Sequence, residues 1–321
     1  MKILVNDGMS ASGAKALKEA GFTLYEDKVA QDDLISFMNK EQIDAILVRS
    51  ATKVGKDIID NVESLKLIGR GGVGLDNIDV DHARKKGIYV INTPAASSTS
   101  VAELVFAHMF GMARGLHDSN RNMPLEGDSR FKDLKKSYAG AVELRGKTLA
   151  VVGLGRIGKE VAKIGLGIGM HVIGVDSSDT DGIKTIPFQF FNDEVFNYKI
   201  EVKPMIEAIE EADFITFHIP AQKDYVISKK ELESMKTGVF IVNAARGGVI
   251  DEVALVEALD SGKVAAAALD VFEKEPTPEI QLLMHPKLSL SPHVGGSTVE
   301  AQDRIGVELA DQICDLLKVE A

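Results

Sequence analysis

Arg246, Asp270, Glu275 and His293 are the side chains of this 321-residue chain whose types and spacing best suit chemistry. Arg246 follows an apolar run over 239–245, Asp270 follows one over 265–269, and His293 follows one over 288–290, while Glu275 lies in the loop just past Asp270. Read as strands, these runs bring their polar ends to one sheet edge, and ligands of open α/β sheets bind beyond the carboxyl ends of strands. A guanidinium fork holds a carbonyl or carboxylate better than an ammonium does. An imidazole titrates near neutrality and can pass a proton to or from an oxygen, and a carboxylate behind it orients the ring and stabilises its protonated form. Such a set serves hydride transfer, in which a proton must move on the oxygen next to the reacting carbon.

The hydride carrier has a signature near the middle of the chain, Val151-Val152-Gly153-Leu154-Gly155-Arg156-Ile157-Gly158. An apolar strand leads in, and Ile157, Val161 and Ile164 recur at helical spacing after it. Gly153 permits the tight turn, Gly155 lets backbone approach a pyrophosphate, and Gly158 lets the helix pack on the strand. A second strand, His171-Val172-Ile173-Gly174-Val175, ends at Asp176, in register to hold a ribose hydroxyl pair. Asp176 repels a 2′-phosphate, Ser177 follows it and no Arg stands adjacent, so the expected cofactor is NAD. Two further turns in the first hundred residues suit anions: Arg49-Ser50-Ala51-Thr52-Lys53 and Gly69-Arg70-Gly71-Gly72-Val73-Gly74. The second can aim backbone N–H groups at a carboxylate.

Strands expected at 3–5, 22–25, 45–48, 67–69 and 89–91 alternate with helices near 10–20, 31–39, 55–62 and 79–86, which predicts a parallel sheet covered on both faces. A long helix is expected over 100–117, with His108 packed or solvated, and a polar surface excursion over 119–140. Beyond Asp176, the stretch 177–200 carries Phe188, Phe190, Phe191, Phe196 and Tyr198 and reads as a short strand plus a packing insertion. Alternation resumes with helices at 203–211, 229–236 and 252–260 and strands at 214–219, 239–244, 265–269 and 288–290. A final amphipathic helix over 298–318 is expected to return to the first domain and to hold Cys314 in its apolar pattern. The fold class is therefore α/β, with two doubly wound parallel-sheet domains: 1–98 completed by 298–321, and 99–297.

Lys plus Arg number 37 and Asp plus Glu 48, a net charge of −11, which argues against nucleic acid and against an anionic membrane surface as partners. A small anionic substrate must then be drawn in by local positive charge. One cysteine suits a reducing compartment, the first residues read as a strand, and no stretch approaches the roughly 20 apolar residues of a membrane span. A cytoplasmic location is the expectation. The seven His residues contain no i, i+4 pair, no metal site is expected, and no Ser lies in a nucleophile-elbow pattern.

These segments, together with Val48–Val54, Asn243-Ala244-Ala245-Arg246-Gly247-Gly248, Ala268-Leu269-Asp270-Val271-Phe272 and Pro292-His293-Val294-Gly295-Gly296, resemble the D-isomer-specific 2-hydroxyacid dehydrogenases over essentially the whole chain. The two N-terminal turns favour the branch acting on 3-phosphoglycerate. The resemblance implies a flavodoxin-like substrate domain and a Rossmann NAD-binding domain with the active site in the cleft between them. It makes His293 the acid/base, Glu275 its partner, and Arg246 the residue that binds and polarises substrate. Asp270 would stand near the nicotinamide carboxamide, and Arg156 and Ile157 under the pyrophosphate, with His218, Pro220, Ala244 and Gly295 as further cofactor contacts. Gly72 and Val73 would receive the substrate carboxylate and Arg49 its phosphate. The family usually has Asn where the segment here reads Thr93-Pro94-Ala95-Ala96-Ser97-Ser98, which removes one expected substrate contact. A homodimer through the 100–117 region is implied, and feedback inhibition through a C-terminal serine-sensing domain is not expected. Two alternatives stay open: a broader reductase of glyoxylate, hydroxypyruvate or another 2-oxo acid, and an NADH-sensing corepressor-like protein.

Overall fold

The computed structural model describes residues 1–177, 182–189 and 194–317. Its chain divides into two units, Met1–Ser100 with Gly296–Ala321 and Val101–Gly295. The first unit runs β1 (Lys2–Val5), α1 (Ala11–Glu19), β2 (Thr23–Tyr25), α2 (Leu34–Glu41), β3 (Ala45–Val48), α3 (Lys56–Asn61), β4 (Leu67–Arg70), α4 (Val80–Lys85) and β5 (Tyr89–Asn92). The five strands pair in parallel in the order β2-β1-β3-β4-β5, the flavodoxin-like doubly wound order. The runs Ile3–Val5, Ala45–Val48 and Leu67–Ile68 are apolar because both faces of the sheet's centre are covered. Leu4, Ile46, Val48 and Ile68 pack with Leu34, Met38, Ile58 and Ala83 of α2–α4. Ile3, Val5, Leu47 and Leu67 turn to the other face, against Leu17 of α1 and Ile305, Leu309 and Ile313 of the C-terminal helix, Val299–Leu316. That helix crosses α1 closely: a Cβ on Gly13 would sit 2.5 Å from the Gly306 carbonyl oxygen. Cys314 packs half-buried beside this core, and burial raises its thiol pKa. Residues 318–321, at the end of the expected helix and domain, lie outside the described residues.

The second unit takes α5 (Ser98–Ala113) from Val101 on, then α6 (Leu116–Glu126), α7 (Phe131–Ser137), β6 (Thr148–Val152), α8 (Arg156–Gly167), β7 (His171–Val175), β8 (Ile183–Gln189), β9 (Val195–Val202), α9 (Met205–Glu211) and β10 (Phe214–Phe217). It continues with α10 (Lys229–Ser234), β11 (Val239–Asn243), α11 (Glu252–Asp260), β12 (Val264–Leu269), α12 (Ile280–Leu283) and β13 (Leu288–Leu290), and the C-terminal helix is α13. The sheet order is β13-β12-β11-β10-β6-β7-β9-β8, parallel except for β8 against β9. The order reverses at β6, between β10 and β7, which is the topological switch point of a Rossmann sheet. Asp251 caps α11 by accepting from the N–H groups of Val253 and Ala254, a contact worth about 1 kcal/mol.

Three sequence expectations are corrected here. The helix expected over 100–117 ends at Ala113, because Gly115 adopts a left-handed φ of +59° and a new helix begins at Leu116. The 119–140 excursion is exposed for the most part but largely helical, in α6 and α7. Within the 177–200 stretch, the described residues form β8, which pairs antiparallel with β9 and extends the sheet. Ile186 and Ile200 are buried and Phe188 packs half-buried against the core, whereas Phe196 and Tyr198 are largely exposed. Phe190 and Phe191 lie outside the described residues.

Candidate active site

The candidate residues divide between the units. In the second, β6 delivers the chain into the glycine turn. Gly153 has φ +96°, and a Cβ there would lie 2.6 Å from the His218 carbonyl oxygen, so both backbone conformation and close approach require glycine. A Cβ on Gly158 would stand 1.9 Å from the Gly153 oxygen, so α8 can begin against the turn only with glycine there. Gly155 differs, since a Cβ on it would meet no protein atom within 4 Å. It is also the N-cap of α8 and supplies no side-chain acceptor, so the helix's first N–H groups, from Arg156 on, face an anion site. Asp176 directly follows β7, next to this turn in the sheet.

His218 and Pro220 follow β10, the strand on the other side of β6. The His218 Nε2 lies 3.0 Å from Thr216 Oγ1, and its Nδ1 is buried without a partner among the described residues. Burial pushes the His218 pKa down to about 3, so the ring is neutral. An unsatisfied buried ring nitrogen at a ligand crevice is a group that a bound molecule can satisfy. The open face at Gly155, the uncapped helix start and this nitrogen together fit a dinucleotide.

Ala244 and Arg246 follow β11. Asn243 folds over this turn, donating from Nδ2 to the Arg246 carbonyl at 2.9 Å and accepting from the Ala245 N–H at 3.1 Å. Arg246 Nη1 donates to the Ala245 carbonyl at 2.7 Å. Asp270, only 2% exposed, follows β12 and accepts from Ser291 Oγ (2.6 Å), Val294 N (2.9 Å) and Gly295 N (2.8 Å). It thus anchors the loop after β13, a role the sequence did not reveal because the donors lie more than twenty positions downstream. At the apex of that loop His293 takes a left-handed φ of +55°, with Nδ1 2.8 Å from Glu275 Oε2. The other carboxylate oxygen of Glu275 accepts from the Phe272 N–H at 3.0 Å, which fixes the carboxylate plane. Both side chains remain partly exposed.

In the first unit, the turn after β3 is held by residues that sequence reasoning missed. Asp7 accepts from Arg49 N (2.7 Å), Thr52 N (3.0 Å) and Thr52 Oγ1 (2.8 Å), and Asn77 Nδ2 donates to the carbonyls of Arg49 and Thr52. Arg70 Nε donates to Asn77 Oδ1 at 3.0 Å, tying the turns after β3 and β4 together. The Gly72 N–H donates to the buried Thr93 Oγ1 at 2.9 Å, and the Thr93 N–H donates back to the Gly72 carbonyl. Ser97 is buried, with its Cβ 3.2 Å from the position of a Cβ on Gly296.

Residues 106–295 match the family model described as D-isomer specific 2-hydroxyacid dehydrogenase, NAD binding domain. Over its whole length the chain is 41% identical to a D-3-phosphoglycerate dehydrogenase of Methanocaldococcus jannaschii, of which it spans 58%. The chain thus covers less than two thirds of that relative. It is also 41% identical to a hydroxypyruvate reductase of Thermotoga maritima, with 97% of both chains matched. A glyoxylate reductase structure from Paecilomyes thermophila superposes with a TM-score of 0.82 at 28% identity, covering 99% of this chain and 95% of that one.

Proposed function

The chain belongs to the D-isomer specific 2-hydroxyacid dehydrogenase family, and on that basis we propose that it interconverts 3-phosphoglycerate and 3-phosphohydroxypyruvate with NAD. The observation that carries this reading is the 2.8 Å contact of His293 Nδ1 with Glu275 Oε2. A carboxylate only accepts, so Nδ1 carries a proton and Nε2 is the nitrogen left to meet substrate. Bound in its reduced form, the nicotinamide supplies the hydride to the substrate carbonyl carbon. His293 Nε2 gives its proton to the carbonyl oxygen as that oxygen becomes a hydroxyl, and takes it back in oxidation. Glu275 stabilises the imidazolium that exists before the proton is given. Arg246 binds the substrate carboxylate and polarises the carbonyl, and its Nη1 bond to the Ala245 carbonyl orients the fork.

Arg49 reads the substrate phosphate, and Val73 offers its N–H to the carboxylate. Asp176 holds the ribose hydroxyls and disfavours NADP. The protein works in the cytoplasm, consistent with its single cysteine. It forms a homodimer through the region of α5 and α6, where Phe110 and Leu116 are exposed apolar side chains. Light scattering should give twice the 34.6 kDa chain mass.

A second reading, a hydroxypyruvate reductase, is favoured by the end-to-end match with the Thermotoga maritima protein. NADH oxidation with 3-phosphohydroxypyruvate, hydroxypyruvate and glyoxylate separates the two. The phosphorylated substrate is expected to give the highest kcat/KM, and NADPH to give much less than NADH. Equal use of hydroxypyruvate would transfer the assignment to the second reading, and comparable efficiency with NADPH would remove Asp176 from its role.

A further inference from the structure

His108 belongs to none of the groups assigned to substrate or cofactor, yet hydrogen bonds connect it to the loop that carries His293. It sits on α5, 7% exposed, with Nδ1 2.8 Å from Ser289 Oγ and Nε2 3.0 Å from Ser291 Oγ. Ser291 Oγ in turn donates to Asp270 Oδ1 at 2.6 Å, and Asp270 also receives the N–H groups of Val294 and Gly295. Burial pushes the His108 pKa down, against the nearby charge of Asp270 and with that of His117, so the ring is neutral.

Counting protons fixes the direction of every bond. The Ser291 hydroxyl has one proton and gives it to a carboxylate, so its oxygen can only accept from His108. Nε2 therefore carries the ring hydrogen, and Nδ1 is bare and accepts from the Ser289 hydroxyl. The donors run Ser289 to His108 to Ser291 to Asp270, and end on the carboxylate that clamps both residues after His293. On the other side, the His293 N–H donates to the Ser291 carbonyl at 3.1 Å. His293 thus stands in its left-handed conformation between two anchors, Ser291 and Val294, both held by Asp270.

We infer that His108 is a positioning residue for proton transfer: through Ser291 and Asp270 it fixes the 291–295 loop and so the direction in which His293 presents Nε2. A filler of the α5 interface would need no particular tautomer and no hydroxyl on either side. Satisfied buried networks of this kind specify one arrangement, and breaking one member leaves the others unpaired. The inference rests on the proposed hydride-transfer function for its kinetic consequence, but not for its proton arrangement.

The test uses the full chain in three forms: wild type, His108→Phe, which keeps bulk without hydrogen bonds, and His108→Gln, whose amide can donate from near the Nε2 position. Long-range 15N–1H NMR on histidine-labelled protein reads the tautomer, with the His108 signals identified by their loss in the Phe form. The expected result is the Nε2–H tautomer. In NADH oxidation, His108→Phe should lower kcat about threefold to tenfold, the worth of a neutral hydrogen bond. KM for the oxo acid and the NADH Kd should stay within about twofold, as for an interaction felt only at the chemical step. His108→Gln should recover most of that loss, and adding His108→Phe to Ser291→Ala should cost nothing further. An Nδ1–H tautomer overturns the inference. So does an unchanged kcat in the Phe form, or a Gln form that falls as far as Phe with KM and Kd rising alongside. Wild type that turns over no oxo acid removes the proposed function instead, while the tautomer still decides the wiring.

Discussion

At the scale of single residues, the pairing of His293 with Glu275 invites a substitution that preserves shape. Glu275 has two acceptor oxygens in use, one for His293 Nδ1 and one for the Phe272 N–H. A Gln has one. With its oxygen on Phe272, its NH2 faces Nδ1 and favours the ring tautomer that cannot become an imidazolium without a clash of donors. Glu275→Gln should therefore lower kcat in both directions with little change in KM. The loss should approach the roughly 10²–10⁴-fold contribution of general acid–base catalysis that His293→Ala removes. Steady-state kinetics of both variants checks this, and a Glu275→Gln enzyme with wild-type kcat would show that Asp270, not Glu275, is the residue to examine. The candidate chemistry itself was legible, since Arg246, Asp270 and His293 each terminate an apolar run. The partners were not. Which oxygen of Asp270 takes the Gly295 N–H, or that Thr93 occupies the Gly72 N–H, depends on contacts between strand ends that no local pattern encodes.

At the scale of elements, the three glycines of the central turn separate binding from folding. A methyl on Gly155 meets no protein atom, so Gly155→Ala should fold with nearly the wild-type Tm and bind NADH markedly more weakly, because the methyl enters the space offered to the pyrophosphate. A methyl on Gly158 meets the Gly153 carbonyl oxygen at 1.9 Å, so Gly158→Ala should lower stability by about 1–3 kcal/mol, as overpacking does. Thermal melts beside fluorescence titrations of NADH distinguish the two, and a Gly155→Ala protein with unaltered affinity would displace the cofactor from this turn. The alternation of strands and helices was readable because buried parallel strands are continuous apolar runs, as in Ala45–Val48 and residues 239–242. The β8–β9 pair was not, because residues 195–199 are exposed on both faces and carry no period-2 pattern. Gly115 likewise lies inside a helical pattern that extends beyond it, and only its backbone conformation divides α5 from α6.

At the scale of the whole molecule, a chain of net charge −11 whose proposed substrate is anionic must concentrate positive charge locally. Asp7 and Asn77 hold the backbone of the turn carrying Arg49 from two sides, and under the proposed function its guanidinium receives the substrate phosphate. Arg49 distinguishes the phosphoglycerate reading from the hydroxypyruvate reading, because the substrates differ by the phosphate alone. The decisive quantity is the ratio of kcat/KM for 3-phosphohydroxypyruvate to that for hydroxypyruvate, measured in wild type and in Arg49→Ala. The ratio should favour the phosphorylated substrate in wild type and collapse in the variant, by the roughly 1.5–3 kcal/mol of a charge-assisted hydrogen bond, or about 10-fold to 150-fold. A wild-type ratio near one, or equal losses on both substrates, would contradict the assignment.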